Sequence, residues 1–131
     1  MILLGCAGIE TVPIGKSLYG RLGGKVAISS VVDQFVANVA ADSRINGRFA
    51  TTDIPKLKGH FVDQICMITG GPCIYKGRDM KTTHAGMRIT NGDFGALLED
   101  LVAALDKSKV PTREKGELLG ILGSMKKDIV E

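Results

Sequence analysis

The size and composition of the chain fit one ordinary globular domain. It has 131 residues, 44% of them hydrophobic and 24% charged, which is enough for a full hydrophobic core. The net charge of +3 is spread along the chain without a basic cluster between aromatic residues, so a nucleic-acid partner is not expected. The three cysteines form no CxxC pair, which argues against a zinc ribbon and a thioredoxin-like site.

Residues 1–16 differ from the rest and are predicted to form an extension in front of a single domain at 17–131. Within them, Leu3-Leu4-Gly5-Cys6 resembles a bacterial lipobox, whose Cys is acylated, although no positive charge precedes it. A lipidated Cys6 would anchor the domain at a membrane surface of the cell envelope, and a chance match would leave it in the bacterial cytoplasm. No later segment has the roughly 18 unbroken apolar residues of a membrane span.

Helical periodicity dominates the first half of the domain, and strand-like alternation is scarce. Ser17 to Leu22 predicts a short helical turn, which Gly23-Gly24 ends at a sharp corner. Apolar residues at three- and four-residue spacing from Lys25 to about Ala41 are typical of an amphipathic helix. Another helix is predicted from near Thr52-Asp53 to the break at Gly70-Gly71-Pro72.

Three more helices are predicted in the second half. A short one runs from about Arg78 to Ala85, and a long one begins at Thr90 to Asp93. Val110-Pro111-Thr112 opens the last helix, which is expected to bury Leu118, Leu119, Leu122, Met125 and Ile129. The connections are short enough for neighbouring helices to pack antiparallel, so the expected fold class is all-α.

Two cysteines flank the glycine and proline break. Cys66 lies in an apolar helical run and is predicted to act as a small buried hydrophobic residue. A bond between Cys66 and Cys73 requires the chain to fold back where the helix ends, and the sequence leaves that alternative open.

The only two histidines, His60 and His84, lie on two different predicted helices. His84 shares a face with Met80, and His60 borders the apolar stripe of Leu57 and Phe61. Histidine is the commonest protein ligand to a metal, and a globin holds its haem iron by a proximal His. Two histidines on two helices therefore suggest one ligand on each side of a flat cofactor.

An ordered series of motifs resembles the truncated haemoglobins of group I. It consists of Leu22-Gly23-Gly24, Val32-Asp33-Gln34-Phe35, Leu57-Lys58-Gly59-His60, Gly70-Gly71-Pro72, Tyr75-Lys76-Gly77, Met80-Lys81-Thr82-Thr83-His84, Ile89-Thr90, Asp93-Phe94 and Val110-Pro111. The series covers about residues 17–131. The resemblance implies a two-over-two α-helical sandwich enclosing haem b, which binds the diatomic gases O2, CO and NO.

The resemblance also implies a set of haem contacts. His84 would be the proximal ligand through its Nε2, and Phe49 matches the family's haem-packing phenylalanine. Positions that line the haem or its proximal side are matched by Tyr75, Met80, Ile89 and Phe94, for which a plain core role is the alternative. Lys56 and Lys58 are expected to reach the propionates, unless they are simply solvated.

The chain departs from the family on the distal side of the haem. Val36 stands where the family often has Tyr, and Phe61 stands where it often has Gln. With Leu57 also apolar, this pocket is expected to offer a bound gas no hydrogen bond. His60 is the only polar candidate, and some group I members use a His here as a displaceable sixth ligand. The alternative is that His60 faces solvent or pairs with a propionate.

The predicted function is reversible binding of diatomic gases by a haem b globin, with no catalytic residue assigned. One alternative is a nitric oxide dioxygenase served by an unknown reductase, against which the missing Tyr and Gln argue. Another is electron transfer or redox sensing by a six-coordinate haem. A helical bundle without haem is the least specific alternative, and fold alone does not decide among these functions.

Overall fold

The structure, a computed structural model, describes residues 17–131, and this part of the chain contains helices and no strand. The helices are α1 (Leu18–Leu22), α2 (Gly24–Ala41), a 3-10 helix (Asn46–Phe49), α3 (Ile54–Ile68), α4 (Met80–His84), α5 (Asn91–Lys107), α6 (Thr112–Gly123) and α7 (Lys126–Ile129). The predicted extension and its lipobox at Cys6 lie outside the described residues. Among the helices of residues 17–131, none is both long and apolar enough to cross a bilayer.

Helix α2 is the centre of the packing. It contacts α3 on one side and α5 on the other, while α1 joins it to α6 and α5 packs on α6. The core between these helices contains the fully buried side chains of Val32, Cys66, Leu105 and Leu118, one from each of the four longest helices. The short helix α4 packs instead against α7. This confirms the all-α prediction and leaves α4 at the edge of the main core.

Side-chain caps fix where three helices begin. The Asp53 carboxylate accepts a hydrogen bond from the Lys56 N–H, 3.1 Å away, at the start of α3. Thr90 and Asp93 form a reciprocal capping box at the start of α5. Asp79 caps α4, which therefore begins at Met80 and not at about Arg78 as the sequence predicted.

The predicted last helix is divided into α6 and α7. The break lies at Ser124, whose hydroxyl donates to the Ile121 carbonyl oxygen at 2.5 Å. The prediction that this helix buries all five of its apolar side chains is wrong, because only Leu118 is buried. Leu122, Met125 and Ile129 line a cavity, so part of each side chain faces the cavity and is not buried.

The chain does fold back at the end of α3. Gly70 has a φ of 93°, and the Gly71 N–H donates to the Cys66 carbonyl oxygen at 2.7 Å. A Cβ on Gly71 would run into Tyr19 and the Cys66 sulfur, so only glycine fits there. The fold-back joins Cys66 to Cys73 in a disulfide with a Cα–Cα distance of 5.7 Å. Cys66 is fully buried, as predicted, but it is not a free thiol.

Candidate functional site

A cavity of about 430 Å³ lies between α3 on one side and α4 and α5 on the other. This volume is in the range of roughly 300–1,000 Å³ that is usual for small-molecule and cofactor sites. Most of its wall is apolar and comes from Phe35, Phe49, Leu57, Phe61, Ile65, Met80, Ile89, Phe94, Leu97, Leu101, Leu122 and Met125. An apolar cavity of this kind suits an occupant that is mostly apolar and has few polar groups.

His84 lies at the end of α4 and lines the cavity. Its Nδ1 lies 2.8 Å from the Met80 carbonyl oxygen, one turn back on the same helix. A carbonyl oxygen can only accept a hydrogen bond, so Nδ1 carries the proton and donates. In the neutral imidazole with its proton on Nδ1, the lone pair resides on Nε2, which is the form of histidine that binds a metal.

The peptide after α4 is held by polar groups. The Glu131 carboxylate accepts hydrogen bonds from the N–H groups of Gly86, at 2.9 Å, and Arg88, at 2.5 Å. These two donors lower the pKa of Glu131 below its usual range. Arg88 has a φ of 55°, a left-handed conformation that is uncommon for a residue with a side chain. The carboxylate therefore stabilises a strained turn just after His84.

Two more contacts hold the region around His84. The Asp79 carboxylate accepts from the Thr82 backbone N–H at 2.8 Å, which lowers the pKa of Asp79 and caps α4. Arg48 of the 3-10 helix donates to the Met87 carbonyl oxygen and to the Asp93 carboxylate, both at 2.8 Å. The peptide that follows His84 is thus tied to the start of α5. Arg48 was not predicted as a site residue, because an Arg in a turn gives no periodic signal.

On the opposite wall, α3 contributes His60. Its ring lies 5.8 Å from the ring of Tyr75, centroid to centroid, at an interplanar angle of 70°. The Tyr75 hydroxyl donates to the Arg78 carbonyl oxygen at 2.6 Å. Burial, with the charge of Asp79 second, raises the pKa of Tyr75, so the phenol remains a donor. Among residues 17–131, no hydrogen bond holds the His60 ring in place.

The rest of this wall is apolar. Phe61 packs edge-on against Phe35, with ring centroids 5.3 Å apart, and Leu57 adds to the same surface. Val36 was predicted to line the cavity, but it does not. It is buried among the core residues, and the neighbouring Phe35 occupies the cavity wall in its place.

One polar residue of this wall was not predicted from the sequence. Gln64 lies one turn after His60 on α3, lines the cavity and is only 9% exposed. Its amide nitrogen has a single weak contact within residues 17–131, the Met125 sulfur at 4.0 Å. The expectation of a pocket without polar groups besides His60 is therefore wrong. The position of Gln64 four residues after His60 was the available signal.

The charged groups at the cavity differ from those predicted. Lys56 and Lys58 do not line it, and the Lys58 amine lies 3.2 Å from Asp33 of α2. Arg78 lines the cavity, and its guanidinium has no hydrogen-bond or ion-pair partner within residues 17–131. A guanidinium at an apolar cavity suits an anionic group on the occupant.

Nine of the twelve predicted haem contacts line this cavity, and Val36, Lys56 and Lys58 do not. The nine are Phe49, Leu57, His60, Phe61, Tyr75, Met80, His84, Ile89 and Phe94. Within residues 17–131 no group of three or more His, Cys, Asp or Glu residues is arranged to hold a metal. An apolar cavity, one histidine with a free Nε2 and an unpaired guanidinium fit a flat apolar cofactor that brings its own metal and carboxylates.

Comparison with known proteins decides the family. Residues 17–131 match the bacterial-like globin family. The chain belongs to that family. It is 36% identical over 113 residues to group 1 truncated hemoglobin GlbN of Mycolicibacterium paratuberculosis, which covers 86% of this chain and 83% of that protein.

Solved structures of the same family share the fold. Truncated hemoglobin of Tetrahymena pyriformis in its Fe(III) form superposes with a TM-score of 0.84 at 32% identity, covering 87% of this chain and 97% of that one. The 2/2 hemoglobin of Synechococcus sp. PCC 7002, cyanomet and with covalently attached heme, gives a TM-score of 0.82 at 32% identity, with 87% and 98% coverage. The predicted group I resemblance and two-over-two globin fold are confirmed. Membership of this family identifies haem, with its iron, as the cofactor of this globin.

Proposed function

We propose that this globin binds haem b through His84 Nε2 and binds diatomic gases reversibly, with His60 as a displaceable sixth ligand. The observation that carries the proposal is the 2.8 Å contact between His84 Nδ1 and the Met80 carbonyl oxygen. It fixes the tautomer and the ring orientation, and donation through Nδ1 also makes Nε2 more basic. When bound, the haem supplies iron with a coordination position at which O2, CO or NO binds.

The support for His60 as sixth ligand is its position on the α3 wall of the same cavity. Its neighbours there, Leu57 and Phe61, are apolar and do not compete for its lone pair. Its one ring contact, with Tyr75, leaves the imidazole without a fixed hydrogen bond within residues 17–131. A ligand held this loosely exchanges with a gas, and the apparent gas affinity falls by the fraction of time that His60 occupies the site.

When His60 is displaced, two donors face the cavity in place of the family's Tyr and Gln. One is His60 itself, and the other is the Gln64 amide, whose present partner is a weakly accepting sulfur. A polarised gas such as O2 gains from a hydrogen bond, whereas CO gains little. We therefore assign Gln64 a role in ligand discrimination.

The propionates are assigned to Arg78 instead of Lys56 and Lys58. Arg78 lines the cavity with its guanidinium unpaired within residues 17–131, while Lys58 is paired with Asp33. Arginine also binds carboxylates in a planar, bidentate geometry that lysine does not have.

Electron transfer or redox sensing is the second candidate, and the presence of His60 and His84 in one cavity favours it. A haem with two histidine ligands changes oxidation state with little change in ligation. Nitric oxide dioxygenase activity, with a reductase as partner, is the enzymatic alternative. Nitrate formation from NO and O2 with a supplied reductant separates it from the other two.

Haem titration of the apoprotein tests the proposed function. The unmutated chain is expected to bind one haem, and His84→Gly is expected to lose stoichiometric binding, which added imidazole should restore. His60→Ala is the matched control, because it removes the other histidine of the cavity and should retain haem. Equal haem binding by the unmutated chain and His84→Gly would overturn the assignment of the proximal ligand.

A further inference from the structure

The disulfide Cys66–Cys73 joins α3, which carries His60, to residues 70–79, which carry Tyr75. We propose that this bond is a thiol–disulfide exchange site for a dithiol reductant, and that its state controls how firmly Tyr75 holds His60. The first part stands on the disulfide alone. The second part rests on the proposed function, because it concerns His60 as a haem ligand.

Residues 72–77 have few restraints other than this bond, whereas the end of the segment is attached to α4, because Asp79 caps that helix and the Arg78 carbonyl oxygen accepts from the Thr83 hydroxyl at 3.4 Å. The Gly71 N–H donates to the Cys66 carbonyl oxygen at 2.7 Å, at the point where the helix ends. Beyond it, residues 72–78 make no backbone–backbone hydrogen bond with any part of residues 17–131. A segment without such bonds opens at low cost, so a covalent link at its beginning has a large effect on its position.

Tyr75 transmits the state of the bond to the cavity. It follows Cys73 by two residues, and its ring packs on His60 at 5.8 Å. The hydrogen bond of its hydroxyl, at 2.6 Å to the Arg78 carbonyl oxygen, stays within the segment and does not attach it to α3. The attachment of Tyr75 to the His60 helix therefore depends on the ring contact and on the disulfide two residues away.

The chemistry requires two thiols from the reductant. A thiolate attacks Sγ of Cys73, which is half-buried, in preference to the fully buried Cys66. The sulfur–sulfur bond breaks, Cys66 leaves as a thiolate and takes a proton, and a mixed disulfide forms at Cys73. The second thiol attacks the mixed disulfide and releases Cys73 as a thiol. Two electrons pass to the protein, and the dithiol leaves as a disulfide.

With the bond intact, Tyr75 limits the motion of His60 and keeps its ring at the cavity wall. Reduction loosens residues 72–77, which stay attached to α4 only through Arg78 and Asp79. The ring contact is then lost for part of the time, and His60 spends less time in the position that binds iron. The apparent affinity for CO then rises, because CO competes with His60 for the same position. We expect an increase of about fivefold or more, the lower end of typical coupling between two sites.

Limited proteolysis tests the exchange site without using haem. The chain carries Cys6→Ser, so that only Cys66 and Cys73 remain, and alkylation should detect two thiols only after dithiothreitol treatment. Trypsin cleaves after Lys76 and Arg78, both in the segment that the bond restrains. Cleavage there should accelerate on reduction, while cleavage after Lys107, at the end of α5 and outside this segment, should not. Alkylation without reductant, or equal cleavage rates in both states, would overturn the proposal.

CO binding to the haem-loaded protein tests the control of His60. Cys73→Ser is compared with the intact pair, both in the Cys6→Ser chain. We expect a smaller low-spin fraction in the ferric spectrum and tighter CO binding in the variant. Unchanged spectra and affinity with one haem bound would overturn the control of His60 and leave the proposed function intact. Failure of both proteins to bind haem would instead refute the proposed function, and proteolysis alone would then decide the exchange site.

Discussion

The two sides of the cavity place a histidine in opposite ways. His84 on the proximal side has its Nδ1 fixed by a carbonyl oxygen 2.8 Å away, on a helix capped by Asp79 and followed by a turn that Glu131 stabilises. His60 on the distal side lies on a long and well-packed helix but has only an aromatic contact with Tyr75. The short helix thus fixes its histidine ring by a hydrogen bond, and the ring on the long helix is held by an aromatic contact alone.

The difference follows from where polar groups are placed. On the proximal side, carboxylates and carbonyl oxygens satisfy backbone donors and orient one imidazole, as outer partners of a metal ligand usually do. On the distal side, Phe35, Leu57 and Phe61 form an apolar wall that contacts a ligand without directing it. The proposed function uses this difference, with the fixed histidine as the permanent iron ligand and the other as the ligand that a gas displaces.

The largest effect is expected from His84→Gly, which removes the histidine whose ring is fixed by a hydrogen bond. Haem affinity should fall by far more than the roughly tenfold that one hydrogen bond is worth, because a coordination bond is lost. A fluorescence titration of the apoprotein with haem measures the change. Full haem affinity in the variant would show that another residue holds the iron.

Gln64→Leu removes the second hydrogen-bond donor of the cavity, after His60. The rate constant of O2 dissociation should rise by about 2- to 12-fold, the range for one lost hydrogen bond, while that of CO changes little. Met67→Leu, which changes an exposed side chain of α3 outside the cavity, is the control and should change neither rate. Equal changes for O2 and CO would mean that Gln64 only fills space.

Arg78→Ala tests the propionate assignment. Because an exposed ion pair is worth little, haem should dissociate only about two- to fivefold faster, as followed by transfer to an apomyoglobin acceptor. Lys56→Ala should leave the rate unchanged, since Lys56 does not line the cavity. Faster haem dissociation from Lys56→Ala, with no change in Arg78→Ala, would mean that the lysines bind the propionates.

Glu131→Gln should have the smallest effect, and a pH-dependent one. The folded-state pKa of Glu131 is lowered, so its contribution to stability is present above the unfolded value of about 4.3 and is lost as the pH falls through the folded pKa. Urea unfolding at pH 7 should show the variant to be less stable than the unmutated protein. The two proteins should become equally stable in acid, and a difference that persists there would exclude the carboxylate as its cause.

The sequence predicted the parts of the molecule that periodicity and motif spacing control. Apolar spacing located α2, α3 and α5, and the motif series located His84 and most of the cavity wall. The match to the family placed Val36 at the cavity, whereas the preceding residue, Phe35, lines it. Successive residues of a helix point about 100° apart, so only one of these two side chains can face the cavity. Arg48 lies in a 3-10 helix of four residues, and Arg78 and Glu131 lie outside the helices, where contacts depend on tertiary structure. The disulfide depended on a fold-back at Gly70 and Gly71 that spacing alone could not establish.

The most direct test of the central claim is the visible spectrum of the haem-loaded protein, ferric and ferrous, compared with that of His60→Ala. A fixed His84 and an exchangeable His60 predict low-spin spectra with sharply split ferrous bands in the unmutated protein and high-spin spectra in the variant. High-spin spectra in both proteins would contradict the claim and leave His60 without a bond to iron.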